Sequence, residues 1–237
     1  MITVLMATYQ GRQYLEQQLD TILAQTVPVK ILISDDGSDD GTREMLDNYA
    51  GWYPEQVVLH HRTEHTGGAA ENFFWLMQEA LKDEKNEYIL FSDQDDVWEN
   101  DKVSVMLHRM KVLEKGLGSA CPILLYSDME VVDEELYEIS PSFASYTHQD
   151  PDRSSFAELL VENQVTGGAS MINRALLMRC AKAPEVCCMH DWWIALTASC
   201  FGIIEFMPRA LSKYRQHGNN VLGAKDAGSF GEMKARL

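Results

Sequence analysis

Four short apolar runs alternate with amphipathic segments over the first half of the chain, and this alternation constrains the fold most strongly. The runs are continuously apolar, which is typical of strands in a parallel sheet that is covered on both faces. Strands are expected at residues 2–7, 30–34, 57–61 and 88–92. Helical periodicity predicts helices at residues 14–24, 42–49, 70–82 and 102–115. The sequence therefore predicts an α/β fold with a mostly parallel, Rossmann-like central sheet and helices on both faces.

The second half of the chain is less regular and predicts a mixed structure. Strands are expected at residues 123–127, 169–172, 203–207 and 211–214, and another strand or a hairpin at 130–137. Helices are expected at residues 156–162, 174–180 and 191–201. Residues 140–153 contain two prolines and little periodicity, so they are interpreted as a loop. We expect one domain over residues 1–237, with halves at 1–116 and 117–218 and a tail at 219–237 that resembles a shortened helix.

The charge and the cysteines exclude several classes of protein. Lysine and arginine total 20 against 36 aspartate and glutamate, a net charge of −16. This balance argues against nucleic-acid binding and against direct docking on an anionic membrane. The five cysteines are odd in number and lack Cys-x-x-Cys spacing, which argues against a disulfide framework and a zinc site and fits a reduced, cytoplasmic protein. No signal peptide or membrane-spanning run is expected.

Three carboxylates fall within four positions directly after the fourth expected strand, in the run Asp93-Gln94-Asp95-Asp96. Crowded like charges are unfavourable unless something positive lies among them. Oxygen ligands favour a hard divalent cation, Mg²⁺ or Mn²⁺, and such a metal commonly holds a diphosphate. The alternative is that these aspartates only cap the following helix.

Other polar clusters also follow expected strands, where open α/β sheets bind their ligands. The first is Ala7-Thr8-Tyr9-Gln10-Gly11, in which Tyr9 offers a ring for a base, although an ordinary βα loop would have the same composition. The second is Ser34-Asp35-Asp36-Gly37-Ser38-Asp39-Asp40-Gly41-Thr42, in which Asp36 could accept a base N–H or a ribose hydroxyl. Asp39, Asp40 or Thr42 would then cap the next helix. The third is His65-Thr66-Gly67-Gly68, which could hold a phosphate or simply connect two elements.

Two clusters in the second half complete the candidate site. Met189-His190-Asp191-Trp192-Trp193 places a carboxylate beside two indoles, which suit a sugar ring, although a lone aspartate before an apolar helix is usually an N-cap. Tyr214-Arg215-Gln216-His217-Gly218 brings cationic and hydrogen-bonding groups into an acidic chain. Arg215 and His217 could face a diphosphate or complete a metal site, and a solvated turn is the alternative.

Together these clusters resemble the family 2 glycosyltransferases, which have the GT-A fold, over nearly the whole chain. The family's opening strand is matched by Ala7-Thr8-Tyr9-Gln10, and its nucleotide-binding loop by Asp35-Asp36-Gly37-Ser38-Asp39-Asp40-Gly41-Thr42. The family's metal-binding Asp-x-Asp is matched by Asp93-Gln94-Asp95-Asp96. Asp191 stands where the family carries its catalytic base, but His190 replaces the glutamate that usually precedes it. The Gln-x-x-Arg-Trp signature of processive members is absent, which implies transfer of one sugar at a time.

The resemblance implies a role for each candidate residue. Asp191 would be the base of an inverting displacement, and Trp192 and Trp193 would shape the acceptor side. The metal, Mg²⁺ or Mn²⁺, would be held by Asp96, Asp95 and His217. The nucleoside-diphosphate sugar would contact Ala7, Thr8, Tyr9, Asp36, Gly67, Asp95 and Arg215.

Within the family, the acidic run with Trp98 and the segment after Tyr214 resemble bacterial rhamnosyltransferases of surface-polysaccharide synthesis. This subgroup implies dTDP-L-rhamnose as donor and a glycan or lipid-linked saccharide as acceptor, with a UDP-sugar donor as the alternative. Its members often extend further, so the natural chain is expected to continue beyond Leu237. Peripheral contact with the inner face of the plasma membrane would need that tail, a partner or a lipid-linked substrate, and a homodimer is left open.

Two other classes of protein remain as alternatives. A sugar-phosphate nucleotidyltransferase would carry a Gly-rich, basic loop after the first strand, where this chain has Thr8-Tyr9-Gln10-Gly11-Arg12. A non-catalytic nucleotide-sugar-binding module would not need both the acidic run and Asp191.

Overall fold

The structure, a computed structural model, describes residues 1–62 and 68–218. Its strands are β1 Ile2–Thr8, β2 Lys30–Asp35, β3 Val57–His61, β4 Tyr88–Ser92, β5 Val97–Trp98, β6 Ile123–Val132, β7 Glu138–Ser140, β8 Ser170–Asn173 and β9 Ile203–Arg215. Its helices are α1 Leu15–Leu23, α2 Thr42–Trp52, α3 Ala69–Leu81, α4 Lys102–Leu117, α5 Phe143–Thr147, α6 Phe156–Leu159, α7 Arg174–Cys180 and α8 His190–Phe201. A 3₁₀ turn covers Gly167–Ala169.

One sheet contains all nine strands of the described residues, and it changes character halfway across. The order is β3-β2-β1-β4-β8-β6-β9-β5, with β7 paired to β6 outside this path. The first four strands are parallel, whereas β8 runs antiparallel to both β4 and β6. Strand β9 is parallel to β6, and β5 is antiparallel to β9. The predicted α/β fold class, with a parallel first half and a mixed second half, is confirmed.

Two apolar cores cover opposite faces of this sheet. Val4 and Met6 of β1 pack with helices α1, α2 and α4, whereas Leu5 packs with α3, α7 and α8. Successive residues of β1 thus point to opposite cores, because side chains alternate along a strand. A strand buried on both faces needs apolar residues at every position, which explains the continuous runs in the sequence.

The second half differs in detail from the sequence predictions. Residues 130–137 form the end of β6 and the turn into β7, which is the hairpin alternative. The two strands expected at residues 203–207 and 211–214 are the single strand β9. The register of β9 against β6 shifts opposite Asp128, near Pro208, which has no N–H to donate to the ladder.

The interpretation of residues 140–153 as a loop was wrong for part of the segment. Helix α5 lies there and is capped by Asp128, whose Oδ1 accepts the backbone N–H groups of Phe143 and Ala144 at 3.0 and 3.2 Å. Ser142 adds a second cap, because its Oγ accepts the N–H of Ser145. A five-residue helix is too short to show periodicity, and its main cap is distant in sequence.

Within residues 1–62 and 68–218, no helix is both long enough and apolar enough to span a bilayer. The tail expected at residues 219–237 lies outside the described residues.

Candidate active site

The candidate residues meet at one edge of the sheet, where the parallel strands end. Thr8 of β1 is aligned with Asp35 of β2, and Met6 of β1 is aligned with Ser92 of β4. The loops that follow these three strands therefore start side by side. This is the edge at which α/β sheets bind ligands.

Asp35 organises the loop after β2. Its Oδ1 accepts hydrogen bonds from the hydroxyls of Thr8 and Ser38, at 3.1 and 2.6 Å. Its Oδ2 accepts the N–H groups of Gly37 and Ser38 and the Nε of Arg43, at 3.2, 3.1 and 2.8 Å. Burial alone would raise the pKa of Asp35, but these hydrogen bonds outweigh it and hold the pKa below its usual value.

Two further aspartates tie the β2 loop to the β1 loop. Asp40 Oδ1 accepts the N–H and the hydroxyl of Thr42, at 3.0 and 2.6 Å, so Asp40 satisfies the first N–H of α2 from the position before the N-cap residue, Gly41. The same hydroxyl accepts the N–H of Gly11 at 2.9 Å. Asp39 accepts from the side chain of Gln10 at 2.6 Å and returns its own N–H at 3.2 Å. These carboxylates build the loop.

The candidate base-binding residues flank this loop. Asp36 is 2% exposed, and its backbone N–H donates to the carbonyl of Thr8 at 2.9 Å. Tyr9 is 48% exposed, and its backbone is held by the side-chain amide of Gln94, which accepts at 2.9 Å and donates at 3.0 Å. Gln94 packs so closely on Gly11 that a Cβ there would lie 2.3 Å from its Oε1. Gln94 therefore connects the acidic run to the β1 loop, a role that the sequence analysis missed.

In the acidic run, few hydrogen-bond donors or positive charges offset the negative charge of the carboxylates. Burial raises the pKa values of Asp93 and Asp96, and the negative charge of Asp95 raises both further. The charge of Asp93 adds to the shift of Asp96. The positive charge of Lys102 offsets part of both shifts. Asp96 Oδ2 is buried and has no hydrogen-bond partner in the described part of the chain. Both carboxylates lie against Gly168, where a Cβ would be 2.9 Å from Asp93 Oδ2 and 3.2 Å from Asp96 Oδ2.

The segment after β9 closes the site from the other side. His217 Nε2 lies 2.8 Å from Asp95 Oδ2, so these two predicted residues are brought together. The guanidinium of Arg215 lies over the ring of Tyr14, 4.6 Å from its centroid, and donates to the carbonyls of Asp95 and Glu134. These contacts account for the burial of Arg215, and its role towards a diphosphate stays a prediction.

Asp191 is at the start of α8 and reaches the acidic run through a glycine turn. Its Oδ2 accepts the N–H of Gly167 at 3.2 Å, and its Oδ1 accepts the N–H of Trp192 at 2.6 Å. Burial raises the pKa of Asp191 to about 6, although these two N–H groups oppose the shift. The charge of Asp191 also raises the pKa of Asp93, so the two carboxylates share one electrostatic environment.

His190 lies between the apolar core and the glycine turn, where a Cβ on Gly167 would be 3.0 Å from its Nε2. Its ring stacks on Phe73 at 4.0 Å and approaches Phe91 at 5.4 Å between centroids. Both ring nitrogens lack hydrogen-bond partners among the described residues, and burial lowers the pKa of His190 to about 3. The residue at the position of the family's glutamate is thus a neutral core side chain here.

The two tryptophans of the candidate acceptor side have structural contacts. The Nε1–H of Trp192 donates to the carbonyl of Leu159 at 2.6 Å, and that of Trp193 donates to the carbonyl of Cys180 at 3.1 Å. Trp192 therefore fixes the end of α6 against α8, whereas Trp193 packs on the core that contains α7. Their acceptor role stays a prediction.

The structure thus brings together Asp93, Asp96 and Asp191 around the turn at Gly167 and Gly168, and it separately brings together Asp95 and His217. The described residues nevertheless contain no group of three or more His, Cys, Asp or Glu side chains in a metal-holding arrangement. Gly67, predicted at the donor site, lies outside the described residues. The glycine turn and Lys102 carry no local sequence signal, so the sequence analysis missed them.

Comparisons with known proteins identify the family of the chain. Residues 3–179 match the model of the family described as Glycosyl transferase family 2. The dTDP-rhamnosyl transferase RfbG of Shigella flexneri is 29% identical over 230 residues, 92% of this chain and 74% of that protein. The putative teichuronic acid biosynthesis glycosyltransferase TuaG of Bacillus subtilis (strain 168) is 31% identical over 177 residues, 73% of this chain and 66% of that protein.

Solved structures support the same fold. S. aureus TarS 1–349 in complex with UDP has a TM-score of 0.64 at 16% identity, covering 90% of this chain and 60% of that chain. The mannosyltransferase PcManGT from Pyrobaculum calidifontis, in complex with GDP-Man and Mn²⁺, has a TM-score of 0.68 at 18% identity, covering 92% and 58%. The chain therefore spans about three fifths of these structures. The predicted GT-A fold is confirmed.

Proposed function

The chain belongs to glycosyl transferase family 2, and from this premise we propose that it transfers one sugar, with inversion, from a nucleoside-diphosphate sugar to an acceptor hydroxyl. The observation that carries the proposal is the junction of Asp191 with the acidic run at Gly167 and Gly168. A binding module needs no buried base beside a diphosphate site. We propose a glycan or lipid-linked saccharide of a bacterial cell surface as the acceptor.

Asp191 is proposed as the base that accepts the proton of the acceptor hydroxyl. Its raised pKa, about 6, keeps the carboxylate ionised at neutral pH while making it a better proton acceptor than a solvated aspartate. As the proton moves to Asp191, the acceptor oxygen forms a bond to the anomeric carbon. The bond from that carbon to the phosphate oxygen breaks, and the nucleoside diphosphate leaves with its electron pair. The backbone N–H groups of Gly167 and Trp192 hold the carboxylate in place.

A divalent cation fits the donor side of this site. Asp96 Oδ2 is buried without a partner among the described residues, and crowding disfavours ionisation of Asp93 and Asp96 without a positive charge. Mg²⁺ and Mn²⁺ commonly use one or two carboxylates together with phosphate oxygens, so a complete protein cage is not required. We propose Asp96 and Asp95 as ligands, with His217 contributing directly or through its contact with Asp95. The metal would stabilise the negative charge of the leaving diphosphate.

The donor is proposed to lie along the β1 and β2 loops. Asp36 would bind the base or ribose beside the exposed ring of Tyr9, and Ala7, Thr8 and Gly67 would supply backbone contacts. We propose dTDP-L-rhamnose because RfbG, a dTDP-rhamnosyl transferase, resembles this chain over 92% of its length. All five cysteines are free in the structure, which supports the proposal of a reducing, cytoplasmic location.

The test is a calorimetric titration with dTDP, UDP, GDP and ADP, each without metal, with Mn²⁺ and with Mg²⁺, followed by detection of dTDP release from dTDP-rhamnose with saccharide acceptors. Metal-dependent binding of dTDP in preference to the other nucleotides would support the rhamnosyl donor. A preference for UDP would retain the enzyme class and change the donor. If no nucleoside diphosphate bound with either Mn²⁺ or Mg²⁺, the proposed function would be wrong.

A further inference from the structure

Lys102, the first residue of α4, is the one buried lysine in the described residues. Its Nζ donates to the carbonyl of Gly168 at 2.7 Å and to the hydroxyl of Ser212 at 3.3 Å. The ammonium also lies over the ring of Trp98, 4.0 Å from the centroid. The groups that hold this charge are therefore neutral.

Neither packing nor helix formation explains a charge at this place. Removing an ammonium from water is costly unless a negative charge compensates it, and an apolar side chain would fill the same space without that cost. A cation at a helix N-terminus is also unfavourable, because the first turn carries partial positive charge. The favourable interaction must come from elsewhere.

The compensating charges are the carboxylates of the acidic run. Asp96 and Asp93 both favour the charged form of Lys102, opposing the burial that lowers its pKa. Gly168 separates the two groups: its carbonyl binds the ammonium, and its Cα faces both Asp93 Oδ2 and Asp96 Oδ2. Lys102 thus holds its ammonium in a fixed position on the other side of Gly168 from the carboxylates, and burial lowers its pKa to about 7.

We propose that Lys102 is a positioning residue that weakens the intrinsic affinity of the acidic run for a divalent cation, so that metal is retained firmly only together with the diphosphate. This inference rests on the proposed metal site. The fixed charge compensates part of the carboxylate charge before metal arrives and repels the metal once it is bound. The diphosphate brings further negative charge, which restores a strong attraction. Metal and product can then leave together after transfer.

The test measures Mn²⁺ affinity without nucleotide at pH 6.5, where Lys102 is mostly charged, by water-proton relaxation, in the wild type, Lys102→Met and Lys102→Gln. Loss of the fixed charge is expected to tighten Mn²⁺ binding on the order of tenfold. Competing protons do not reverse this sign as long as each Mn²⁺ displaces fewer than two protons, because a divalent ion gains twice as much from removal of a repelling charge as each proton it displaces. Proton release on Mn²⁺ addition is measured in parallel. Lys102→Gln retains a side-chain donor and serves if Lys102→Met does not fold.

The matched control is Ser212→Ala, which removes one hydrogen bond of Lys102 and leaves its charge. Its Mn²⁺ affinity should equal that of the wild type. A merely structural lysine predicts the reverse pattern, with weaker or unchanged Mn²⁺ binding in the Lys102 variants, and that result would overturn the inference. If wild-type protein binds nucleotide but never Mn²⁺, with or without dTDP, the metal site and this inference both fail while the nucleotide-binding proposal survives.

Discussion

Two acidic regions lie at the same edge of the sheet, and their carboxylates are in opposite environments. In the β2 loop, Asp35 and Asp40 accept hydrogen bonds from backbone, hydroxyl and guanidinium donors, and the pKa of each lies below its usual value. At Asp93 and Asp96 of the acidic run and at Asp191, burial dominates and raises the pKa of each carboxyl. The first region uses carboxylates to hold a loop in shape. The second leaves them with few hydrogen-bond donors, which is what the proposed roles towards a proton and a cation require.

Residue type alone therefore does not distinguish an aspartate that stabilises a loop from one that is proposed to bind a proton or a metal. What separates them is the supply of donors, which the fold determines. The β2 loop turns back on itself and presents its own N–H groups to Asp35. The acidic run instead faces Gly168, whose Cα offers the carboxylates nothing to accept.

The largest expected effect is a loss of turnover when the carboxylate of Asp191 is removed. Asp191→Asn should lower turnover about 10²–10⁴-fold or more, because the amide cannot accept the acceptor's proton. Donor binding should persist, since the neutral amide keeps the shape of the side chain. Steady-state kinetics together with calorimetry of dTDP binding measures both quantities. Glu84→Gln, an exposed carboxylate remote from the site, is the matched control and should retain full activity.

If donor affinity were lost together with turnover in Asp191→Asn, the residue would bind donor or maintain the fold, and the comparison between the regions would fail. Retained turnover would assign the base to another group at this edge.

The sequence predicted much of this arrangement, because strand ends and acidic clusters are local features. The continuous apolar runs of β1, β2 and β4 determined the sheet, and the parallel order placed their following loops together. The family resemblance added the expected roles of Asp36 and Asp191.

The rest could not be predicted because it depends on contacts between distant residues. Lys102 contacts Gly168, just before β8, and Ser212 of β9, and both residues are far from it in sequence. The cap of α5 comes from Asp128, on another strand. His190 could not be placed either, since only the packing of Phe73 and Phe91 shows that its ring is in the core.

The second prediction compares the regions by stability. Asp35→Asn should lower the free energy of unfolding by about 2 kcal/mol or more, because several donors, including the guanidinium of Arg43, lose a buried anionic acceptor. Asp96→Asn should change it by less than about 0.5 kcal/mol or raise it, because the amide relieves like-charge repulsion. Urea unfolding in EDTA at pH 8 gives both values. Equal losses of unfolding free energy in the two variants would show that Asp35 and Asp96 contribute equally to stability, contrary to the proposed contrast between the regions.

The third prediction concerns nucleotide binding. Asp36→Ala should weaken binding of the preferred nucleoside diphosphate by about 1–3 kcal/mol, if a buried hydrogen bond to the base or ribose is lost. Isothermal titration measures the affinity in the presence of Mn²⁺, and thermal unfolding confirms that the fold is retained. Unchanged affinity would remove Asp36 from the donor site and leave the β2 loop a purely structural element.

The smallest expected effect is the dependence of activity on pH, and it tests the contrast without any mutation. The pKa of Asp191 is raised to about 6, and a base must be ionised, so kcat/KM should fall about tenfold per pH unit below this value. The pKa of Asp35 is lowered, so the β2 loop keeps its charge, and its contribution to stability, over the same range. Asp35 contributes stability above its unfolded pKa and loses it only as pH falls through the lower folded value. Activity should therefore decline between pH 7 and 5 while the circular dichroism of the protein is unchanged. A kcat/KM that stays flat to pH 5 would mean that Asp191 is as well compensated as Asp35, and the two acidic regions would then be alike.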